Sequence, residues 1–327
     1  MPPVTQQAEL VDKIAAAKER IDAVRKEVAR VYIGPSTVVD QLMLALIAGG
    51  HVLLEGVPGV AKTTLAKAFA AATGATVRRI QFTPDLLPAD ITGTYVLQPR
   101  DGTFAFRQGP IFANLVLADE INRAPPKTQA ALLEAMQEQT VTVEGDGFSL
   151  PKPFMVVATQ NPIDLEGTYP LPEAQIDRFL IHLDMGYPKR EDEIAMLMAH
   201  HVEPQEARPI LDPEAAQSLQ ELARGVHVEK DLYEYAVSLT EYTRNDSRVL
   251  LGASPRATLQ LIQVAKAAAV LGGRGYATPD DIRTYAPPVL AHRLVLSDEV
   301  DDDPAMRVEV IRSALSRVSY RKAIRPV

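Results

Sequence analysis

The sequence predicts an α/β architecture, a parallel sheet lying between helices, followed by a smaller all-α domain. Three features carry that expectation. Short apolar runs alternate with helical segments as far as Pro188, and a glycine-containing loop joins the first such run to a helix. Beyond Pro188 the β-branched strand pattern stops while helical periodicity continues. At 327 residues the chain suits one large and one small domain.

Leu10 to Val31 places Leu10, Ile14, Ala17, Ile21, Val24 and Val28 at helical spacing among charged residues, which predicts an amphipathic first helix. An apolar helix at Val38 to Ala48 ends at Gly49 and Gly50, and His51 to Glu55 then reads as a buried strand. A loop at Gly56 to Thr63 leads into a helix at Thr64 to Ala72. Strands follow at Val77 to Gln81 and Leu115 to Ala118, a helix at Thr128 to Glu138, and strands at Phe154 to Ala158 and Phe179 to Leu183. Such strands form a parallel sheet covered on both faces, with ligands at the strand carboxyl ends. Two hairpins interrupt the alternation. Tyr95 to Leu97 and Thr103 to Phe106 flank Pro99 to Gly102, and Thr140 to Val143 and Phe148 to Leu150 flank Gly145, Asp146 and Gly147.

Composition excludes several classes. Hydrophobic residues make up 46% and charged residues 23%, as in ordinary globular proteins. The net charge of −8 argues against a broad nucleic-acid-binding face. Without cysteine there is no disulfide, thiolate metal site or cysteine nucleophile, which fits a reducing compartment. Met1 to Leu10 lacks a signal-peptide pattern and no apolar run reaches spanning length, so a cytoplasmic location is expected. The acidic run Asp298 to Asp303 reads as a solvated loop. His200 and His201 have no third ligand near them, so no structural metal is assigned.

The chemistry concentrates in four places. Gly56-Val57-Pro58-Gly59-Val60-Ala61-Lys62-Thr63 follows a strand and opens a helix, as a phosphate-binding loop must. Its backbone N–H groups and the helix N-terminus, extended to Thr64, can cradle polyphosphate; Lys62 adds a charge at the β- and γ-phosphates and Thr63 a hydroxyl for Mg²⁺. Ala61 stands where the general pattern has its second glycine. Leu115 to Ala118 then leads into Asp119 and Glu120, one carboxylate to hold the metal and the other to orient and deprotonate a water. Asn161, after a third strand, offers a neutral amide to the γ-phosphate and the attacking water. Arg178 and Arg256 are the candidates for neutralising transition-state charge, from the same chain or a neighbour.

Together these stretches resemble the MoxR family of AAA+ ATPases over nearly the whole chain. The resemblance is carried by Gly56 to Thr63, Gln81 to Gly93, Ala118 to Gln129, Ala158 to Pro162, Glu166 to Phe179 and Ser254 to Arg256. It implies an AAA+ P-loop NTPase core at 1–188 and a helical lid at 189–327. Within the core it implies Walker A at Gly56 to Thr63, Walker B ending in Asp119 and Glu120, sensor 1 at Asn161, sensor 2 at Arg256 and an arginine finger at Arg178. The hairpins correspond to the helix-2 insert, about 85–112, and the pre-sensor hairpin, about 139–152, both facing the pore of a ring. Ala61 fits the family's common Ala-Lys at that point. On the adenine side related chains usually have Val-Gly-Gln, whereas Tyr32-Ile33-Gly34-Pro35 stands here. Gly34 is retained as a base-side candidate, and Pro35 supplies neither an amide donor nor a glutamine side chain.

ATP or ADP with Mg²⁺ are the implied cofactors. The implied activity is ATP hydrolysis that drives chaperone-like remodelling or assembly by a homo-oligomer, a hexameric ring. Its implied partners are a von Willebrand factor A domain protein and a protein client. The chain has no Asp-x-Ser-x-Ser motif, so that partner would be a separate polypeptide. Competing readings are a chelatase-type or DNA-acting motor subunit, and an ATP-gated binding scaffold with little turnover.

Overall fold

A computed structural model of the protein describes residues 4–57, 59–100, 102–161, 167–199, 205–297 and 303–320. The chain opens with α1 (Val4–Val31) and α2 (Ser36–Ala48) and enters β1 (Val52–Glu55). It continues through α3 (Lys62–Ala72), β2 (Val77–Gln81), α4 (Pro88–Thr92), the hairpin β3 (Gly93–Gln98) and β4 (Thr103–Gln108), β5 (Leu115–Asp119) and α5 (Pro126–Glu138). A second hairpin, β6 (Thr140–Val143) and β7 (Asp146–Ser149), precedes β8 (Met155–Gln160), the short α6 (Glu173–Ile176) and β9 (Ile181–Asp184).

All five strands of the main sheet are parallel, in the order β2-β5-β8-β1-β9. Strands β5 and β8 occupy central positions and are buried almost throughout, which is why they read as continuous apolar runs. Their alternate side chains feed two separate cores. Leu54, Leu115, Leu117 and Val157 pack with α1, α2 and α3, where Ile21, Val24, Leu42, Leu65 and Phe69 lie. Leu53, Val116, Val156 and Phe179 pack with Leu132 and Leu133 of α5 on the opposite face. The α1 positions Ile14, Ala17, Ile21, Val24 and Val28 are buried, as the spacing predicts.

After β9 the chain is mostly helical: α7 (Arg190–Ala199), α8 (Pro213–Gly225), α9 (Lys230–Asn245), α10 (Pro255–Leu271), α11 (Pro279–Leu290) and α12 (Pro304–Arg317). Four of these helices start with a polar residue followed by proline, at Asp212-Pro213, Ser254-Pro255, Thr278-Pro279 and Asp303-Pro304. Asp212, Ser254 and Asp303 each accept an otherwise unpaired backbone N–H, the Thr278 N–H and hydroxyl donate to Asp281, and proline at the first helical position loses no hydrogen bond. Helix α2 packs against α8 and α10, so one apolar cluster runs from the sheet into the helical part. One addition to the expected all-α lid is a two-stranded antiparallel ribbon, β10 (Val249–Leu251) with β11 (Val295–Leu296), made by residues too few to leave a strand pattern.

The hairpins depart from expectation in detail. Val143 pairs with Asp146, so the second hairpin turns on Glu144 and Gly145 alone, with φ of 52° and 96°. A two-residue turn with both φ positive matches the twist of the strands, and this draws Asp146 and Gly147 out of the expected turn into β7. The two hairpins also touch: the Phe106 and Phe148 rings stack at 4.0 Å, and the Tyr95 hydroxyl donates to Asp146. The expected acidic run lies outside the described residues except for Asp303, whose side chain caps α12 by accepting from the Ala305 N–H. His200 and His201 also lie outside the described residues.

Candidate nucleotide-hydrolysis site

The loop between β1 and α3 crosses the carboxyl ends of neighbouring strands at very close range. A Cβ added at Gly56 would lie 2.4 Å from the Met185 carbonyl oxygen, just past β9, while the Gly56 N–H reaches the Gln160 carbonyl at the end of β8. Gly59 has φ of +88° with open space around it. Ala61 is left-handed, with φ of 59° and ψ of 23°, at the residue before α3 begins. That conformation explains the general preference for glycine there, and an alanine holds it at a cost of roughly 1–2 kcal/mol. Val57 is half-buried and Val60 buried, and Thr64 is exposed; Pro58 lies outside the described residues.

Lys62 Nζ donates to the Gly56 carbonyl at 2.6 Å and faces the Gln160 carbonyl at 3.5 Å. Burial pushes its ammonium below the ordinary lysine range, and the carboxylates of Asp119, Glu120 and Glu55 act in the opposite sense. Thr63, next to it on α3, is half-buried. Both candidate carboxylates stand at the end of β5. Asp119 is buried and accepts from the Thr159 hydroxyl at 2.6 Å and from Arg79 Nη2 at 2.7 Å. The same Thr159 oxygen accepts the Glu120 N–H at 2.9 Å, which links the two acidic residues to β8. Glu120, with φ of 57°, is held through Oε2 by Gln81 Nε2 at 2.9 Å and Arg123 Nε at 3.1 Å. A second left-handed non-glycine residue among the candidates fits the habit of functional sites to hold backbone strain.

Asn161 is buried immediately past β8, between the ends of β1 and β5. The loop, both carboxylates and Asn161 therefore converge on the carboxyl edge of three adjacent strands. Buried oxygens for a divalent cation, a lysine and a cradle open beside Gly59 are a donor set that suits Mg²⁺ and polyphosphate. Gly34 precedes α2, where a Cβ would lie 2.4 Å from the phenol oxygen of Tyr32, which is itself buried.

Arg178 lies at the other edge of the sheet. It precedes β9, whose Ile181 pairs with Val52 at the start of β1, and Leu180 N–H donates to the His51 carbonyl. Because the strands are parallel, this is the edge away from Gly56 to Thr63, separated by the length of β1. The Arg178 Nη1 donates to the Leu133 carbonyl on α5 at 2.8 Å. Arg256, at the start of α10, approaches the carboxylate of Asp177, the residue before Arg178, at 3.8 Å.

Several contacting residues escaped the sequence reading. Thr159, Gln81, Arg123 and Asp177 lie inside family-like stretches, which is the only available signal for them. Arg79 and Arg293 had none, since their partners are chosen by packing.

Comparison with known proteins supports the family and the fold. Residues 51–181 match the ATPase family associated with various cellular activities (AAA), and residues 241–314 match the AAA lid domain. The chain is 45% identical over 307 residues to Uncharacterized protein YeaC of Bacillus subtilis, covering 92% of this chain and 95% of that protein. It is 44% identical over 315 residues to Chaperone MoxR1 of Mycobacterium tuberculosis, covering 94% and 84%. Protein MoxR of Methylorubrum extorquens is 32% identical over 298 residues, covering 83% and 86%. A crystal structure of a protein assigned as an ATPase from Cytophaga hutchinsonii superposes with a TM-score of 0.89 at 37% identity, covering 97% of this chain and 99% of that one. A parallel sheet bearing a phosphate-loop fold, a helical lid and full-length likeness to proteins of that name place this chain in the MoxR family of AAA+ ATPases.

Proposed function

We propose that this ATPase hydrolyses MgATP at a site completed by a neighbouring copy, and that the cycle drives remodelling or assembly of protein complexes. The observation that carries the shared site is the separation of Arg178 and Arg256 from the phosphate loop by the length of a parallel strand. An arginine on the far edge cannot serve its own chain's phosphates, but it can serve those of a neighbour in a ring.

In this reading the N–H groups from Gly56 to Thr64 bind the polyphosphate, and Lys62 exchanges its Gly56 carbonyl partner for phosphate oxygens. Thr63 and Asp119 would hold Mg²⁺, which when bound neutralises charge on the phosphate oxygens. Glu120 orients water and takes its proton, and Asn161 fixes the water and γ-phosphate from the third strand. Arg178 and Arg256 of the adjoining copy offset the charge that develops on transfer. Gly34 borders the base.

Residues 1–188 act as the core and 189–327 as the lid. The homo-oligomer is a hexameric ring with both hairpins directed to its pore, working in the cytoplasm with a von Willebrand factor A domain protein and a protein client. Likeness to a protein named as a chaperone supports the protein-directed role. Among the described residues no helix is long and apolar enough to cross a membrane.

Steady-state phosphate release from MgATP, measured across protein concentrations beside Glu120→Gln and Arg178→Ala, tests the shared site. Specific activity that rises with concentration in the parent protein, and falls about 100-fold or more in both variants, supports it. Full turnover at concentrations where the protein is monomeric removes the neighbour from the reaction.

A further inference from the structure

Three side chains of the lid converge on Asp177, the residue before Arg178. Arg293, in the turn after α11, is almost wholly buried and donates from Nε to Asp177 Oδ1 at 2.9 Å. Its Nη2 donates to the Phe179 carbonyl at 2.5 Å and to the Gln260 side-chain oxygen, and its Nη1 donates to the Val289 carbonyl. Ser254, which caps α10, donates to both Asp177 oxygens at 3.3 and 3.4 Å. Arg256 stands at 3.8 Å, with 46% of its side chain exposed.

The arms of this cluster differ in kind. Burial pulls Arg293 down to about 10 against the pull of the Asp177 carboxylate, so it stays charged at neutral pH, and losing Asp177 would strand a buried guanidinium without its counter-ion. Arg256 is half-exposed and loosely held, so it can exchange Asp177 for a phosphate oxygen at little cost. Lid docking alone needs no buried charge, because apolar packing of the same volume would serve as well. What a fixed arm and a free arm on one carboxylate provide is register: when Arg256 moves, Asp177 stays with the lid.

We propose that Asp177 and Arg293 are a positioning pair that makes Arg178 follow the lid, so that engagement of Arg256 with a neighbour's polyphosphate sets where Arg178 stands. The inference rests on the shared-site reading above. It treats neither residue as catalytic; both act through Arg178.

The test uses the full chain. Asp177→Asn alone strands a buried guanidinium and is expected to loosen the lid, so the informative variant is Asp177→Asn with Arg293→Gln, which removes both charges together. Because the chain contains no cysteine, Glu173→Cys on the exposed first residue of α6 accepts a single environment-sensitive dye beside Arg178. In the parent labelled protein, MgATPγS should change the emission. The double variant should melt within about 4 °C of the parent and bind nucleotide within about threefold. It should nevertheless lose the emission change, and kcat should fall about tenfold or more. On an Arg178→Ala background the same pair of substitutions should then change kcat by less than about twofold, since the pair acts through that arginine.

A double variant that keeps both the emission change and kcat overturns the proposal, as does one whose nucleotide affinity falls as far as its kcat. Failure of the shared site reads differently: Arg178→Ala alone would leave turnover intact, while a lost emission change in the double variant would still support the coupling.

Discussion

Acid should destabilise this protein through His51, and the size of the effect follows from its surroundings. His51 is buried at the foot of β1, where Nε2 meets the Met136 carbonyl at 3.0 Å and Nδ1 accepts the Val156 N–H at 3.0 Å. That pattern suits only the neutral ring, since a proton on Nδ1 would face a donor. Burial accordingly pushes its pKa from 6.5 down to about 4. Between these values the unfolded chain binds a proton that the folded chain refuses, so stability rises with pH through this window and is flat above it. A shift of this size amounts to about 3 kcal/mol when fully expressed near pH 4, and about 2 kcal/mol at pH 5. Urea unfolding of the parent and of His51→Gln at pH 7.5 and pH 5.0 measures it. Glutamine lacks the titration, so the stability gap between the two proteins should shrink by about 2 kcal/mol on acidification. An unchanged gap would refute the assignment of a neutral buried ring.

Other outcomes follow from single contacts. Gly56→Ala forces a Cβ onto the Met185 carbonyl, which should cost about 1–3 kcal/mol of thermal stability and weaken nucleotide binding measured by calorimetry; normal binding would mean the loop moves freely from β9. Phe148→Ala removes the ring stacked on Phe106 and should lose roughly 0.5–1.5 kcal/mol beyond its buried area, seen as faster proteolysis in both hairpins rather than in one. Ser254→Ala removes the α10 cap and one donor to Asp177, at a cost of about 1 kcal/mol, read by thermal melting. Glu120→Gln keeps the hydrogen-bonding shape of the side chain but not its basicity, so ATP should bind while phosphate release drops by about 100-fold or more.

Local patterns explain what could be read early. The central strands β1, β5 and β8 are short apolar runs because both faces of a parallel sheet are covered there, and α1 reveals itself by one apolar stripe. The ribbon of β10 and β11 was invisible because two or three residues have no period, and the turn at Glu144 and Gly145 was misplaced because three adjacent turn-forming residues offer several registers. Among site residues, the phosphate loop and the Asp119-Glu120 pair are contiguous in the chain and announce their chemistry by spacing. Thr159, which ties that pair to β8, is contiguous with neither.

The sequence by itself determined which residues are candidates for the chemistry and that Asp119, Glu120 and Asn161 among them belong to strand ends, since backbone periodicity and a glycine-containing loop act over a few residues. Only the tertiary structure decided how they are shared out. Strand order and direction sort Lys62, Asp119, Glu120 and Asn161 to one edge of the sheet and Arg178 to the other, and packing of the lid brings Arg256 to Asp177 beside it. Packing alone brings Arg293 to Asp177 across 116 residues. A charge buried by the fold must find its partner in space, and nothing in the local sequence around either residue names the other.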